Sequence, residues 1–293
     1  MPTFCRHNRF VQNCPICREP EPPRRRASSS SSTARSRGAT AKPASRRSTA
    51  TSGLRVRRVA RAADDGYHSG LVPGLHATAD AEQLAEEIAF ATGRLTELRT
   101  APQGAFAEAA TAGDRDEGIR LAAEAVLRGD RSPYADEAAA ERGLAALWAW
   151  LDRHGGPSTA LDGDPSWTPQ RRFERLFERL GTVGGIGRAR YDLLVVAGCL
   201  GLADVEASAL LAGDRDDTTI AAKRVFGIGD RLLLDRRAAE LAEAADVPIA
   251  ALDLALANLD RPAGTPRMTA GASPDATDAD AWARAASALG LDR

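Results

Sequence analysis

From residue 78 to residue 262 the apolar side chains recur at helical spacing, and no strand-like alternation interrupts them. That pattern restricts the body of the chain to packed helices. Leu84, Ile88, Ala91 and Leu95 define one face of a helix over 80–98, with Asp80 as its N-cap and Gln83 completing a capping box. Two further helices are expected over 103–112 and 114–128, divided at Gly113-Asp114, and another over 134–153 with Leu144, Leu147, Trp148 and Leu151 facing one way. Trp148 and Trp150 are read as core and rim packing. The clearest helix spans 168–180: Thr168 caps it, Pro169 takes the first helical position, and Phe173, Leu176, Phe177 and Leu180 form its apolar face. Arg171, Arg172, Arg175 and Arg179 are expected to point elsewhere. The fold class is therefore all-α.

Composition divides the rest. Residues 18–63 hold thirteen Lys/Arg against Glu19 and Glu21, a charge near +11, whereas residues 64–293 carry about −14. The low-complexity stretch around the serine run Ser28–Ser32 lacks the apolar content to fold. It reads as a disordered basic linker over 19–77, either drawn electrostatically to nucleic acid or serving only as a solubilising tether. The helical domain occupies 78–262. Residues 263–293 read as a flexible tail with a short helix at 279–289. No secretory signal and no membrane-length apolar run is present, which implies a cytoplasmic protein. Cys199 lies in an apolar helix and reads as an inert core thiol.

Cys5, His7, Cys14 and Cys17 follow the pattern C-x-H-x6-C-x2-C within residues 1–18. Three thiolates and one imidazole can close a tetrahedron around Zn²⁺, giving a structural knuckle rather than a catalytic site. The same cysteines read otherwise as free thiols or a redox C-x-x-C, to which Cys5 and His7 would be surplus. A knuckle of this kind presents a surface to a protein partner.

The helix ending at Leu180 runs into Gly181-Thr182-Val183-Gly184-Gly185-Ile186-Gly187, and a second helix starts at Arg188. This is the outline of a helix–hairpin–helix. Its glycines, Gly185 and Gly187, permit a sharp turn, and the next helix start offers unpaired N–H groups to a phosphate. Arg188 and Arg190 stand beside it. A second copy, Gly227-Ile228-Gly229, precedes Asp230, whose carboxylate would sit where a phosphate is wanted. Both turns read alternatively as ordinary helix-terminating glycines. His68, His76 and His154 receive no role.

Gly-Ile-Gly, a long apolar helix, and then Asp217-Thr218 ahead of a helix carrying Arg224-Val225 resembles the helix–hairpin–helix DNA glycosylase superfamily. The run AAKRVFGIGD, followed by LLLDRRAAELAEAADVP and joined to the N-terminal knuckle, is similar to the alpha-glutamyl/putrescinyl thymine pyrophosphorylase group, clade 3. The resemblance implies an all-α glycosylase-like domain that acts on DNA. It implies an amine displacing pyrophosphate from an activated 5-hydroxymethyl pyrimidine. Asp217 would act as the base, its basicity raised by burial, with Thr218 capping the following helix. Lys223, one of two lysines beside 37 arginines, would work with Arg224 on the pyrophosphate. Gly185, Gly187, Arg188, Arg190, Arg224, Gly227 and Gly229 would hold DNA phosphates. The alternative function is a non-catalytic, zinc-containing DNA-binding protein.

Overall fold

The helical spacing is realised in a computed structural model that describes residues 62–129, 136–210, 217–261, 265–269 and 277–291. All of these fall in one compact unit, Val56–Arg293. Eleven helices and no strand occur among the described residues. They are α1 (Thr78–Thr100), α2 (Ala105–Thr111), α3 (Arg115–Leu127), α4 (Glu137–Arg153), α5 (Pro157–Asp162), α6 (Pro169–Leu180), α7 (Ala189–Cys199), α8 (Asp217–Phe226), α9 (Arg231–Ala244), α10 (Ile249–Leu259) and α11 (Ala279–Leu289). None is long and apolar enough to cross a membrane. The basic linker up to Arg61 and the four knuckle ligands lie outside the described residues.

Two helices organise the packing. α1 contacts α7, α10 and α11, and α3 contacts α2, α4, α5 and α7. α10 is buried along its whole length and supports both α8 and α9. Leu84, Ile88, Leu147, Leu194, Val225 and Leu252 belong to one continuous apolar core. Burial of such side chains contributes on the order of 1.5–3 kcal/mol each, which outweighs weak local propensity.

The packed body begins before residue 78. Val72, Leu75 and Ala77 are buried, so the expected linker boundary falls inside it. This segment also changes how α1 starts. The helix begins at Thr78 rather than Asp80, and its first N–H donates to the Asp65 carboxylate at 3.0 and 3.1 Å. Those bonds hold the Asp65 carboxyl below its ordinary value. Asp80 is thereby released to pair with Arg224 at 3.5 Å, and Gln83 donates to the Leu259 carbonyl at 3.1 Å instead of closing a capping box.

α4 begins at Glu137, where Asp136 accepts from the Ala139 N–H at 2.8 Å; Trp150 is buried and Trp148 half-buried. α6 has the expected bounds, and Thr168 accepts from the Arg171 N–H at 3.2 Å. Arg172 does not point outward. It is buried, pairs with Asp204 and donates to the Trp167 carbonyl at 2.9 Å, which ties α6 to the loop after α7. α11 is docked rather than part of a flexible tail. Ala281, Ala285, Ala286 and Leu289 are buried, and the Tyr67 hydroxyl donates to the Leu289 carbonyl at 2.6 Å. The apolar stripe of α11 explains the docking, since leaving it in water would forfeit its burial energy.

Candidate functional site

The turn between α6 and α7 is anchored from below and bare on top. Val183 and Ile186 are buried and hold the loop against the core. Gly184, Gly185 and Gly187 are exposed. Gly185 and Gly187 have φ of +83° and +45°, a region that a Cβ disfavours by about 1–2 kcal/mol. A Cβ added at Gly184 or Gly187 would meet nothing within 4 Å. The glycines here serve backbone conformation and leave an unobstructed surface. The N–H groups of Gly184 and Gly187 have no backbone acceptor among the described residues. Such a surface can receive an anion.

The two arginines beside the turn are engaged within the protein. The Arg190 guanidinium lies 3.9 Å from the Phe177 ring centroid and donates to the Phe177 carbonyl at 3.3 Å. It also fills the space above Gly181, where an added Cβ would fall 2.1 Å from its Nη1. Burial pulls its pKa below the ordinary arginine value. Arg188 turns the other way. Its Nη2 donates to Thr218 Oγ1 at 3.0 Å and to Asp253 Oδ1 at 3.1 Å, with Asp192 at 4.0 Å. Asp253 is fully buried and Asp192 nearly so.

These contacts bring the exit of the turn to the first residues of α8. Asp217 opens that helix and is exposed. The burial that the resemblance calls for at this carboxylate is not found there. Thr218 lies inside α8 and is fully buried. Its hydroxyl accepts from Arg188 and donates to the Asp253 carbonyl at 3.4 Å, so it ties three helices together rather than serving as the cap. Lys223 is exposed on α8, six residues beyond Asp217 and therefore about 120° around the helix from it. Arg224 is only 10% exposed and pairs with Asp260 at 2.7 Å and Asp80 at 3.5 Å. It lines a cavity of about 200 Å³ with Asp64, Gly74, His76 and Asp80. Arg188 thus links the first turn to Thr218, the residue after Asp217, while Lys223 lies about 120° from Asp217. Arg224, seven residues on, returns to within about 20° of Asp217's face but two turns away, engaged with Asp260 and Asp80.

The second turn is built differently. Gly227, at φ +63°, follows α8, and a Cβ added there would lie 3.5 Å from Gly74. Gly74 donates to the Val225 carbonyl at 2.9 Å, and a Cβ on Gly74 would fall 1.9 Å from the Arg224 carbonyl oxygen. Gly229 faces open space. Asp230 is the N-cap of α9 and accepts from the Leu233 N–H at 3.1 Å. The helix start that would meet a phosphate already carries a carboxylate.

Asp253 escaped the sequence reading. Its signal was an ionisable residue inside the apolar run Ile249–Leu259, where an unpaired carboxylate would be prohibitively costly and a partner is required. Asn258 obeys the same rule, accepting from the Met268 N–H at 2.7 Å and donating to the Met268 carbonyl at 3.0 Å. On the flank of the first turn, Phe173, Phe177 and Tyr191 form one wall of a cleft of about 230 Å³, with Ser208 and Arg231 also lining it. Cys199 is buried, which raises its thiol pKa, in keeping with a core role. No group of three or more His, Cys, Asp or Glu suited to a metal occurs among the described residues. Comparison with protein-family models, curated proteins and solved structures finds no match.

Proposed function

We propose that this chain is a DNA-base-modifying enzyme on a glycosylase-like helical scaffold, with the α6–α7 turn gripping the DNA backbone and Asp217 working at the extruded nucleotide. The observation that supports this reading is the Arg188–Thr218 contact of 3.0 Å, which joins a bare glycine turn to the helix that Asp217 opens. Extrusion is required because a base in a duplex is otherwise beyond reach. The reaction is displacement at the exocyclic methylene of an activated 5-hydroxymethyl pyrimidine. The amine nitrogen forms a C–N bond as the C–O bond breaks, pyrophosphate leaves with that electron pair, and Asp217 takes the ammonium proton. Cations and N–H groups stabilise the departing charge. The body of residues 64–293 is acidic at about −14, so the arm over 18–63, at about +11, supplies salt-sensitive attraction to DNA.

A second reading, a non-catalytic DNA-binding protein, is favoured by two observations. Asp217 is exposed, and Lys223 lies on another face of α8.

The test is binding to duplex DNA across roughly 50–200 mM salt, comparing wild type with the Gly185→Ala/Gly187→Ala variant. The proposal expects the glycine changes to weaken binding at every salt concentration. No binding, or binding indifferent to them, removes DNA recognition by this turn. Asp217→Asn then separates the two readings: retained DNA binding with lost turnover on hydroxymethyl-pyrimidine DNA supports catalysis, and unchanged turnover excludes it.

We further propose that Cys5, His7, Cys14 and Cys17 hold one structural zinc. Metal analysis of the full chain should give about one zinc per chain, falling toward zero in Cys14→Ser.

A further inference from the structure

We propose that Asp253 is a positioning residue for the site between the first glycine turn and Asp217, acting through Arg188. This inference rests on the functional reading above and adds a residue remote from any nucleic acid. The argument begins with cost. α10 is apolar and buried throughout, so a carboxylate at its centre survives only if it is paired and hydrogen-bonded. Asp253 meets that demand through Arg188, and its backbone adds a second tie. Its Oδ1 accepts from Arg188 Nη2 at 3.1 Å, and its backbone carbonyl accepts from the Thr218 hydroxyl at 3.4 Å. The same Arg188 nitrogen donates to Thr218 Oγ1 at 3.0 Å. A triangle results, with one corner on each of three elements: the exit of the turn, the first turn of α8, and the middle of α10. Asp192, one helical turn beyond Arg188 in α7, stands 4.0 Å from it and adds a second negative charge on the same side.

Geometry explains why a charged triangle differs here from apolar packing. Arg188 is the residue before α7, and no side chain caps that helix. The turn ahead of it has glycines at positive φ and is held by the burial of Val183 and Ile186 and by local bonds such as the Val183 N–H to the Leu180 carbonyl at 3.0 Å. Hydrophobic contacts resist separation but tolerate sliding, whereas a guanidinium fixed by two oxygens sets both distance and direction. Asp253 thereby determines where the open N–H face of the turn stands relative to Asp217. Arg188 consequently acts as a tie in this site, and its charge is committed inward.

The experiment compares full-length wild type, Thr218→Val, and the double variant Arg188→Met/Asp253→Leu. The double variant is needed because Asp253→Ala removes the 3.1 Å carboxylate partner of the part-buried Arg188 and can prevent folding. Replacing both partners with apolar groups of similar size removes that penalty. Two quantities are read: amide hydrogen exchange over residues 184–190 and 217–222, with the amides of α1 as internal reference, and affinity for duplex DNA at fixed salt. Positioning predicts that both variants keep wild-type exchange in α1. It predicts exchange faster by about tenfold in the two named segments and DNA affinity lower by a similar factor. Wild-type exchange rates in both segments of both variants would overturn the proposal, leaving the triangle as mere core filling. If wild-type protein binds no DNA, the functional reading fails, and the exchange rates still decide the role of Asp253.

Discussion

The two Gly-Ile-Gly turns share a tripeptide and almost nothing else. In the first, Gly185 and Gly187 are exposed and hold positive φ, and a Cβ at Gly187 would touch nothing. In the second, Gly227 lies against Gly74, and that strand of backbone leaves no room for a side chain on Gly74. The helix after the first turn starts without a side-chain cap, while the helix after the second is capped by Asp230. Around the second turn Leu232 is 80% exposed and Arg231 pairs loosely with Asp235 at 3.9 Å. One turn leaves its surface exposed; the other is packed against the segment that carries Gly74. Identical letters therefore share a need for positive φ, at Gly185 and Gly187 in one turn and at Gly227 in the other, but only the second is seated against another segment, whose own Gly74 meets the demand for close approach.

Substitutions can break this contrast. The largest effect is expected at Gly74→Ala, where the new Cβ would overlap the Arg224 carbonyl and force apart the segment that seats the second turn. Thermal unfolding should show a loss of about 3 kcal/mol or more, or no folded protein. Gly187→Ala should cost only about 1 kcal/mol, from backbone strain alone, because space is available. If the two losses are equal, the distinction between the turns is wrong. Asp230→Ala removes a cap and should cost about 1 kcal/mol or less, with no loss of DNA affinity if the second turn is purely structural.

The smallest effect is a control in α1, away from both turns. Burial raises the Glu87 carboxyl above its ordinary value, and Arg267, at 2.8 Å, opposes that shift without cancelling it. A raised folded value means that the stability contribution is fully present below the unfolded value and is lost as pH rises through the folded one. Glu87→Gln should therefore melt slightly above wild type at neutral pH, with the difference closing below the ordinary glutamate range. A difference that grows on acidification would reverse the sign.

How much was legible depended on whether local chemistry or distant packing made the decision. α6 was readable to its ends because Thr168 and Pro169 mark the start and Gly181 the stop. α11 was readable as a short helix over 279–289, but not as a docked one. Arg172 and Arg190 look like surface charges in the sequence, yet the first is buried against Asp204 and the second lies over Phe177. α10 passed unmarked because an almost unbroken apolar run carries no period to separate one face from another.

The amino-acid sequence alone determined that this body is helical, where its best-capped helices begin, and that its basic arm and acidic body differ sharply in charge. Those properties are local: they follow from periodicity, capping and composition. Only the tertiary structure decided which carboxylate each arginine meets, and hence that Arg188 points to Thr218 and Asp253 while Arg224 points to Asp80 and Asp260. The reason is that a buried charge is placed by whichever opposite charge the fold brings within about 4 Å, and that partner stands anywhere along the chain.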